Sequence, residues 1–376
     1  MDADIAVIGV GSMGSFALCE LASMGVNVIG FERYAPGHDR GAGHGESRIF
    51  RTAYGEGTDY VPFLQQARDL WKHLESMTGI DIYTETGGMM IGRPNDGFLE
   101  EVLMSAEAYN LPHQVLDAEE ARGRFPQHRF DNEDIVFLDP LAGVLRPELA
   151  IQAASTLATE KGARLYCGCP ITALEPHSAG VTIHCEGEKF HVGHVVISAG
   201  AWTSRLLPQL SLPVWVERQI MFWYPAGNPR EFVPDRFPIS IRITDGDAWY
   251  ALPTLDGKTV KVALHTEGER VDPDTIDRAI HTKDSELLSQ FAQKYIPDLD
   301  SEPEKGKVCM YTNTPDNDFV LGSVSGVPHV TLLGPMGGHG FKFAPIMGKL
   351  AAEVATGISP SLAIDLFSPD RLIGVK

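Results

Sequence analysis

Three glycines in the run Gly9-Val10-Gly11-Ser12-Met13-Gly14 stand at a spacing suited to holding a diphosphate. The first permits a tight turn, the second lets a pyrophosphate approach the backbone, and the third lets a helix pack closely on the preceding strand. The helix that follows would present free N–H groups and the positive end of its dipole to the phosphates. Downstream, Glu32 stands where a carboxylate can accept the hydrogens of both ribose hydroxyls, and its charge would repel the 2′-phosphate of NADP. Dinucleotide binding follows from this set. NAD and FAD are both left open by it, and a glycine turn kept only for packing is the plainer alternative.

These groups need a frame. Apolar spacing predicts a strand over 5–8, a helix over 15–24 and a strand over 26–31, the first half of a dinucleotide-binding βαβ unit. Residues 37–57 are rich in Gly, His and charge without periodicity, and read as a long loop of the kind that often carries function. Between 82 and 136, short pieces that include a strand over 88–92 and a helix over 98–109 break the alternation and read as part of another domain. A helix led by Pro147 runs to about 161, and strands over 164–166, 181–185 and 190–198 return the chain to the nucleotide domain. Segments 219–224, 249–252 and 259–264 read as an antiparallel sheet, with a helix over 285–291. A strand over 329–334 and a helix over 346–356 close the nucleotide domain. The expected architecture is therefore α/β (α+β) in two domains. A Rossmann-like domain comes from 1–81, 146–213 and 323–376, and an antiparallel-sheet substrate domain from 82–145 and 214–322.

At 376 residues the chain exceeds the usual single core, as two domains require. With 43% hydrophobic and 22% charged residues it reads as a soluble globular protein, and no apolar run approaches the roughly 18 residues of a membrane helix. No basic segment precedes the first apolar run, so a signal peptide is not expected. A net charge of -19 disfavours nucleic acid and anionic lipid as partners, and gives any local cluster of Arg and Lys a local purpose. The five cysteines, Cys19, Cys167, Cys169, Cys185 and Cys309, are odd in number and scattered. They match neither a disulfide framework nor a metal site, and a reducing cytoplasm fits them best.

Further blocks narrow the reading. They are Ser47-Arg48-Ile49-Phe50-Arg51 followed by Ala53-Tyr54-Gly55-Glu56-Gly57, then Lys261 with His265, Cys309-Met310-Tyr311-Thr312, and Gly338-His339-Gly340-Phe341-Lys342. In this order, and from the first strand to about Phe367, the sequence resembles the monomeric sarcosine oxidase and N-methyltryptophan oxidase family of flavoenzymes. The resemblance implies a fold like that of D-amino acid oxidase, FAD as cofactor, and a monomer. It implies oxidation of a small secondary (N-methyl) amino acid to an imine that hydrolyses, with O2 reduced to hydrogen peroxide.

The same resemblance assigns roles. Cys309 would carry the flavin as an 8α-S-cysteinyl thioether, with Ser47, Arg48, Gly338, Gly340 and Lys342 also at the cofactor. Arg51 and Lys342 would clamp the substrate carboxylate, a guanidinium fork joined by an ammonium, and Tyr311 would face the substrate. Lys261 would hold a water near the reactive edge of the flavin and promote reaction with O2. His265 and Tyr250 would orient the amine or tune its protonation. On a strand of period two, Lys261, Ala263 and His265 share one face.

Ordinary alternatives stand beside each role. Cys309 could be a buried small hydrophobe, Arg51 and Lys342 surface ion pairs, Arg48 a partner of Glu46 or Glu56, and Lys261 a solvated strand residue. The sequence departs from the family pattern at Gly43, where many relatives carry a second histidine ahead of the one matching His44, and at Glu46, where Asp is usual. A cyclic imino or glycated amino acid is the alternative substrate. The alternative of another class is an NAD-dependent dehydrogenase or a non-catalytic nucleotide-binding protein.

Overall fold

Strand Ala3–Ile8 is buried at every position except Asp4, as a central parallel strand covered on both faces must be. The structure, a computed structural model, describes residues 1–265 and 268–373; the expected segments 214–322 and 323–376 also run across the others. Ala3–Ile8 pairs in parallel with Val28–Glu32 and with Glu188–Ile197, so Ile8, Phe31 and Ile197 lie side by side at one edge. The glycine turn leaves from that edge, where open parallel sheets bind their ligands. Helix Gly14–Ser23 then packs between helices Pro147–Glu160 and Ala344–Ala355. Among the described residues this sheet has eight strands, extended by Arg164–Cys167 on one flank. The hairpin of Ile171–His177 with Gly180–Cys185 and the pair Leu321–Val324 with Val327–Leu333 complete it.

A second sheet, of nine strands among the described residues, forms the wall of the site. Its long strand Trp215–Pro225 pairs antiparallel with Thr259–His265 on one side and Lys305–Asn313 on the other. Directly opposed residues share a face. The registers Gln219↔Cys309, Glu217↔Tyr311, Met221↔Ala263, Trp223↔Lys261, Tyr250↔Ala263 and Ile241↔Tyr250 therefore put Cys309, Tyr311, Lys261 and Tyr250 on one face. A third sheet of three strands joins Arg48–Phe50 and Tyr83–Glu85 to Gly143–Leu145.

Three expectations are corrected. The loop expected over 37–57 contains the strand Arg48–Phe50, because its partner Gly143–Leu145 is distant in sequence and local spacing carries no sign of it. The nine-stranded sheet is not wholly antiparallel: Gly88–Gly92 runs parallel to Ile239–Thr244, joining the inserted segment to the later strands. Cys169 and Cys185 are disulfide-bonded; the antiparallel hairpin sets Ile171 opposite Cys185 and so brings the two cysteines together across 16 residues of sequence. Cys19, Cys167 and Cys309 remain free thiols. No helix among the described residues is long and apolar enough to cross a membrane.

Candidate active site

Beyond the edge of the parallel strands lies an elongated cavity of about 400 Å³. At one end it is lined by Gly9, Gly11 and Glu32, at the other by Arg48, Cys309, Gly338 and Gly340. Gly9 adopts φ +88, and a Cβ there would sit 2.7 Å from the Ser198 carbonyl. A Cβ on Gly14 would lie on the Gly9 carbonyl, whereas one on Gly11 would meet nothing within 4 Å. Gly9 and Gly14 thus close the turn while Gly11 leaves the backbone open toward the cavity, a cradle that fits a pyrophosphate. The Glu32 carboxylate is buried and fixed by the N–H groups of Val10 at 2.9 Å and Tyr34 at 3.0 Å, ready for ribose hydroxyls. The lining fits FAD.

A second cavity, of about 110 Å³, adjoins the first, and Arg48, Cys309, Tyr311, Gly338 and Phe341 line both. Arg51 and Lys342 lie in it, both buried. The Arg51 guanidinium is stacked 4.4 Å from the Tyr54 ring and 5.2 Å from the Phe98 ring, and donates to both oxygens of the Glu56 carboxylate at 2.5 Å. Burial alone would push the Glu56 pKa up, but Arg51, with His339 and Lys342, holds it at about 2. Burial and the nearby Arg51 pull Lys342 down to about 7. Its Nζ donates to the His339 carbonyl at 2.6 Å and lies over the Tyr54 ring at 5.2 Å.

The sheet face supplies the opposite wall. His265 Nδ1 and the Tyr311 hydroxyl are 3.1 Å apart. Burial lowers the His265 pKa, so the ring is neutral near pH 7, and burial raises Tyr250 to about 12. Lys261 is fully enclosed, donating to the carbonyls of Gly45 at 3.1 Å and Ser47 at 2.6 Å and to the Ser47 hydroxyl at 3.2 Å. Burial, reinforced by Arg48, holds its pKa well below the usual lysine range.

Arg48 does not pair with Glu46 or Glu56. Glu46 takes Lys305 at 2.7 Å, while Arg48 donates to the Ser47 and Ala42 carbonyls at 2.8 Å each and lies 3.7 Å from the Cys309 sulfur. Ser47 and Lys342 line the smaller cavity rather than the elongated one, and Gly14 lines neither. Gly43 has a local reason to lack a side chain: a Cβ there would sit 2.5 Å from both Ile151 and Ser12.

Sequence reading missed Glu56 as the partner of Arg51, Glu148 as the acceptor for the Gly45 and Glu46 N–H groups, and Phe98 and His339 as lining residues. Glu56 and His339 lay inside the motif blocks; Glu148 and Phe98 carried no such signal. His44 is buried, held neutral by burial and Arg48 with its pKa at about 3, and makes no side-chain hydrogen bond among the described residues.

The sequence profile of the FAD dependent oxidoreductases matches residues 4–354. Over 374 residues the chain is 38% identical to a monomeric sarcosine oxidase from Streptomyces avermitilis, covering 98% of this chain and 97% of that protein. It is 32% identical over 374 residues to an N-methyl-L-tryptophan oxidase from Yersinia pestis, covering 99% and 100%. The solved structure of NikD, an unusual amino acid oxidase essential for nikkomycin biosynthesis, matches with a TM-score of 0.86 at 23% identity, covering 98% of this chain and 97% of that one. That last likeness concerns the fold alone. The choice between NAD and FAD, open on the glycine motif, falls to FAD.

Proposed function

The chain belongs to the FAD dependent oxidoreductase family, and from that premise we propose that it oxidises a small secondary amino acid of the N-methyl class, as a cytoplasmic monomer using dioxygen. It is an FAD-dependent amine oxidase. The observation that carries the substrate reading is the convergence of buried Arg51 and Lys342 on a small cavity that adjoins the elongated one at Cys309. An entering carboxylate would displace Glu56 from the guanidinium fork and gain Lys342 as its second partner. Its amine would then lie toward Tyr250, Tyr311 and His265, whose Nε2 is the ring nitrogen not engaged with Tyr311 and can hold the amine proton.

When bound, FAD supplies the acceptor for two electrons, which dioxygen then takes up with two protons as hydrogen peroxide. The imine hydrolyses to formaldehyde and the primary amine. Lys261, its proton loosely held, would stabilise negative charge developing on oxygen nearby. Cys309 lines the elongated cavity with its sulfur 3.7 Å from the Arg48 guanidinium, a position that supports an 8α-S-cysteinyl linkage at Cys309. The domain division drawn from the sequence is part of this proposal, with the eight-stranded sheet serving the cofactor and the nine-stranded sheet the substrate.

Acid precipitation tests the cofactor reading. Yellow colour stays with the pellet of the parent protein and passes to the supernatant for Cys309→Ser. Release from the parent protein would contradict the linkage, and an absence of flavin would contradict the whole reading.

A further inference from the structure

Phe98 stands at the start of helix Gly97–Ala108, outside every motif block, yet its ring reaches the small cavity. Asp96 caps this helix, its carboxylate accepting from the N–H groups of Phe98 at 3.0 Å and Leu99 at 3.4 Å. Leu99 is buried and holds the first turn from behind. Two turns on, on the same helix face, the Ser105 hydroxyl accepts from the Tyr54 N–H at 2.8 Å. The helix is thus fastened to the Arg51–Glu56 segment at both ends of that face. Phe98 also lies directly on this segment, since a Cβ on Gly55 would sit 2.4 Å from its ring. The Arg51 guanidinium lies over the Phe98 ring at 5.2 Å as well as over the Tyr54 ring at 4.4 Å.

A carboxylate held by Arg51 has its neighbouring carbon one bond away, so any substituent on that carbon must share the space beside Phe98. That space belongs to a cavity of about 110 Å³, whereas pockets for drug-sized ligands run from about 300 to 1,000 Å³. Similarity does not decide the matter, because relatives named for sarcosine and for N-methyl-L-tryptophan stand at 38% and 32% identity.

We propose that Phe98 is a specificity-determining residue that limits the substrate's α-substituent to hydrogen or a methyl group and excludes aromatic N-methyl amino acids. This rests on the carboxylate-clamp reading above. The ring lies over Arg51 at 5.2 Å and its backbone is fixed by Asp96, which together hold it beside the clamp.

The test compares kcat/KM for N-methylglycine, N-methyl-L-alanine and N-methyl-L-tryptophan in the holoenzyme and in Phe98→Ala and Phe98→Leu, each checked for full flavin content. The parent enzyme prefers N-methylglycine over N-methyl-L-tryptophan by at least 100-fold. Phe98→Ala lowers that ratio at least tenfold, by raising turnover of the tryptophan derivative, and Phe98→Leu lowers it less. Should Phe98→Ala fail to hold flavin, the Leu variant still decides: a ratio unchanged within twofold overturns the proposal. A parent enzyme that takes both substrates within tenfold of each other overturns it too. Flavin-containing parent protein that oxidises no secondary amine would sink the functional reading and this inference together, whereas normal oxidation of N-methylglycine with an unmoved ratio sinks the inference alone.

Discussion

The elongated cavity and the small one share five lining residues but are built by different means. Where the first begins, at the edge of the parallel sheet, backbone does the work: the turn from Gly9 to Gly14 leaves N–H groups open, and Glu32 is itself fixed by backbone N–H donors. The second is made of side chains from distant segments, with Arg51 on one loop, Lys342 before the last helix, Phe98 at a helix start, and His265 and Tyr311 on one face of a sheet. A backbone site depends on a few glycines and tolerates change elsewhere. A side-chain site concentrates its energy in buried charges whose partners must change when the substrate enters.

The largest effect should come from breaking the backbone site. Gly9→Val forces a branched side chain into φ +88 and against the Ser198 carbonyl, a strain that only glycine avoids. The variant is expected to purify without flavin and without oxidase activity, as absorbance and a peroxide assay would show. Full flavin content would contradict the backbone account.

On the side-chain site, Arg51→Met removes the charged fork while leaving the elongated cavity intact. Charge-assisted hydrogen bonds of this kind contribute about 1.5–3 kcal/mol, so kcat/KM should fall on the order of 100-fold, chiefly through KM, with flavin content unchanged. An unaltered KM would place the carboxylate elsewhere.

A smaller effect separates the two cations. Lys342 is held at about 7, so it is charged below that pH and loses its proton above it. Above about pH 6, where acetate is fully ionised, its affinity as a competitive inhibitor should weaken as pH rises through 7, by at most tenfold per unit, while Lys342→Gln gives a flat profile. An affinity that rises with pH would reverse the sign and refute the assignment. Smallest of all, Asp96→Ala removes the cap behind Phe98 at a cost of about 1 kcal/mol, seen as a modest fall in Tm with oxidase activity toward N-methylglycine retained.

The same contrast explains what could be read from the sequence. The glycine spacing, Glu32 and the flanking strands are local, and the elements at 3–8, 14–23 and 28–32 differ from expectation only at their ends. Arg51, Lys261, His265, Tyr311 and Lys342 became legible only through resemblance, because nothing local says that five scattered residues converge. Phe98 and Glu148 were not legible at all: each acts through a partner 47 or 102 and more positions away, Arg51 for the one and the N–H groups of Gly45 and Glu46 for the other. The strand Arg48–Phe50 and the parallel pairing of Gly88–Gly92 escaped for the same reason, since both depend on a distant strand.

The most direct measurement mixes the purified holoenzyme with N-methylglycine in air and follows hydrogen peroxide and formaldehyde together. The account predicts that the two appear in equal amounts and that bleaching of the flavin absorbance follows when oxygen is excluded. Flavin that stays oxidised with N-methylglycine, with no peroxide formed, would contradict it.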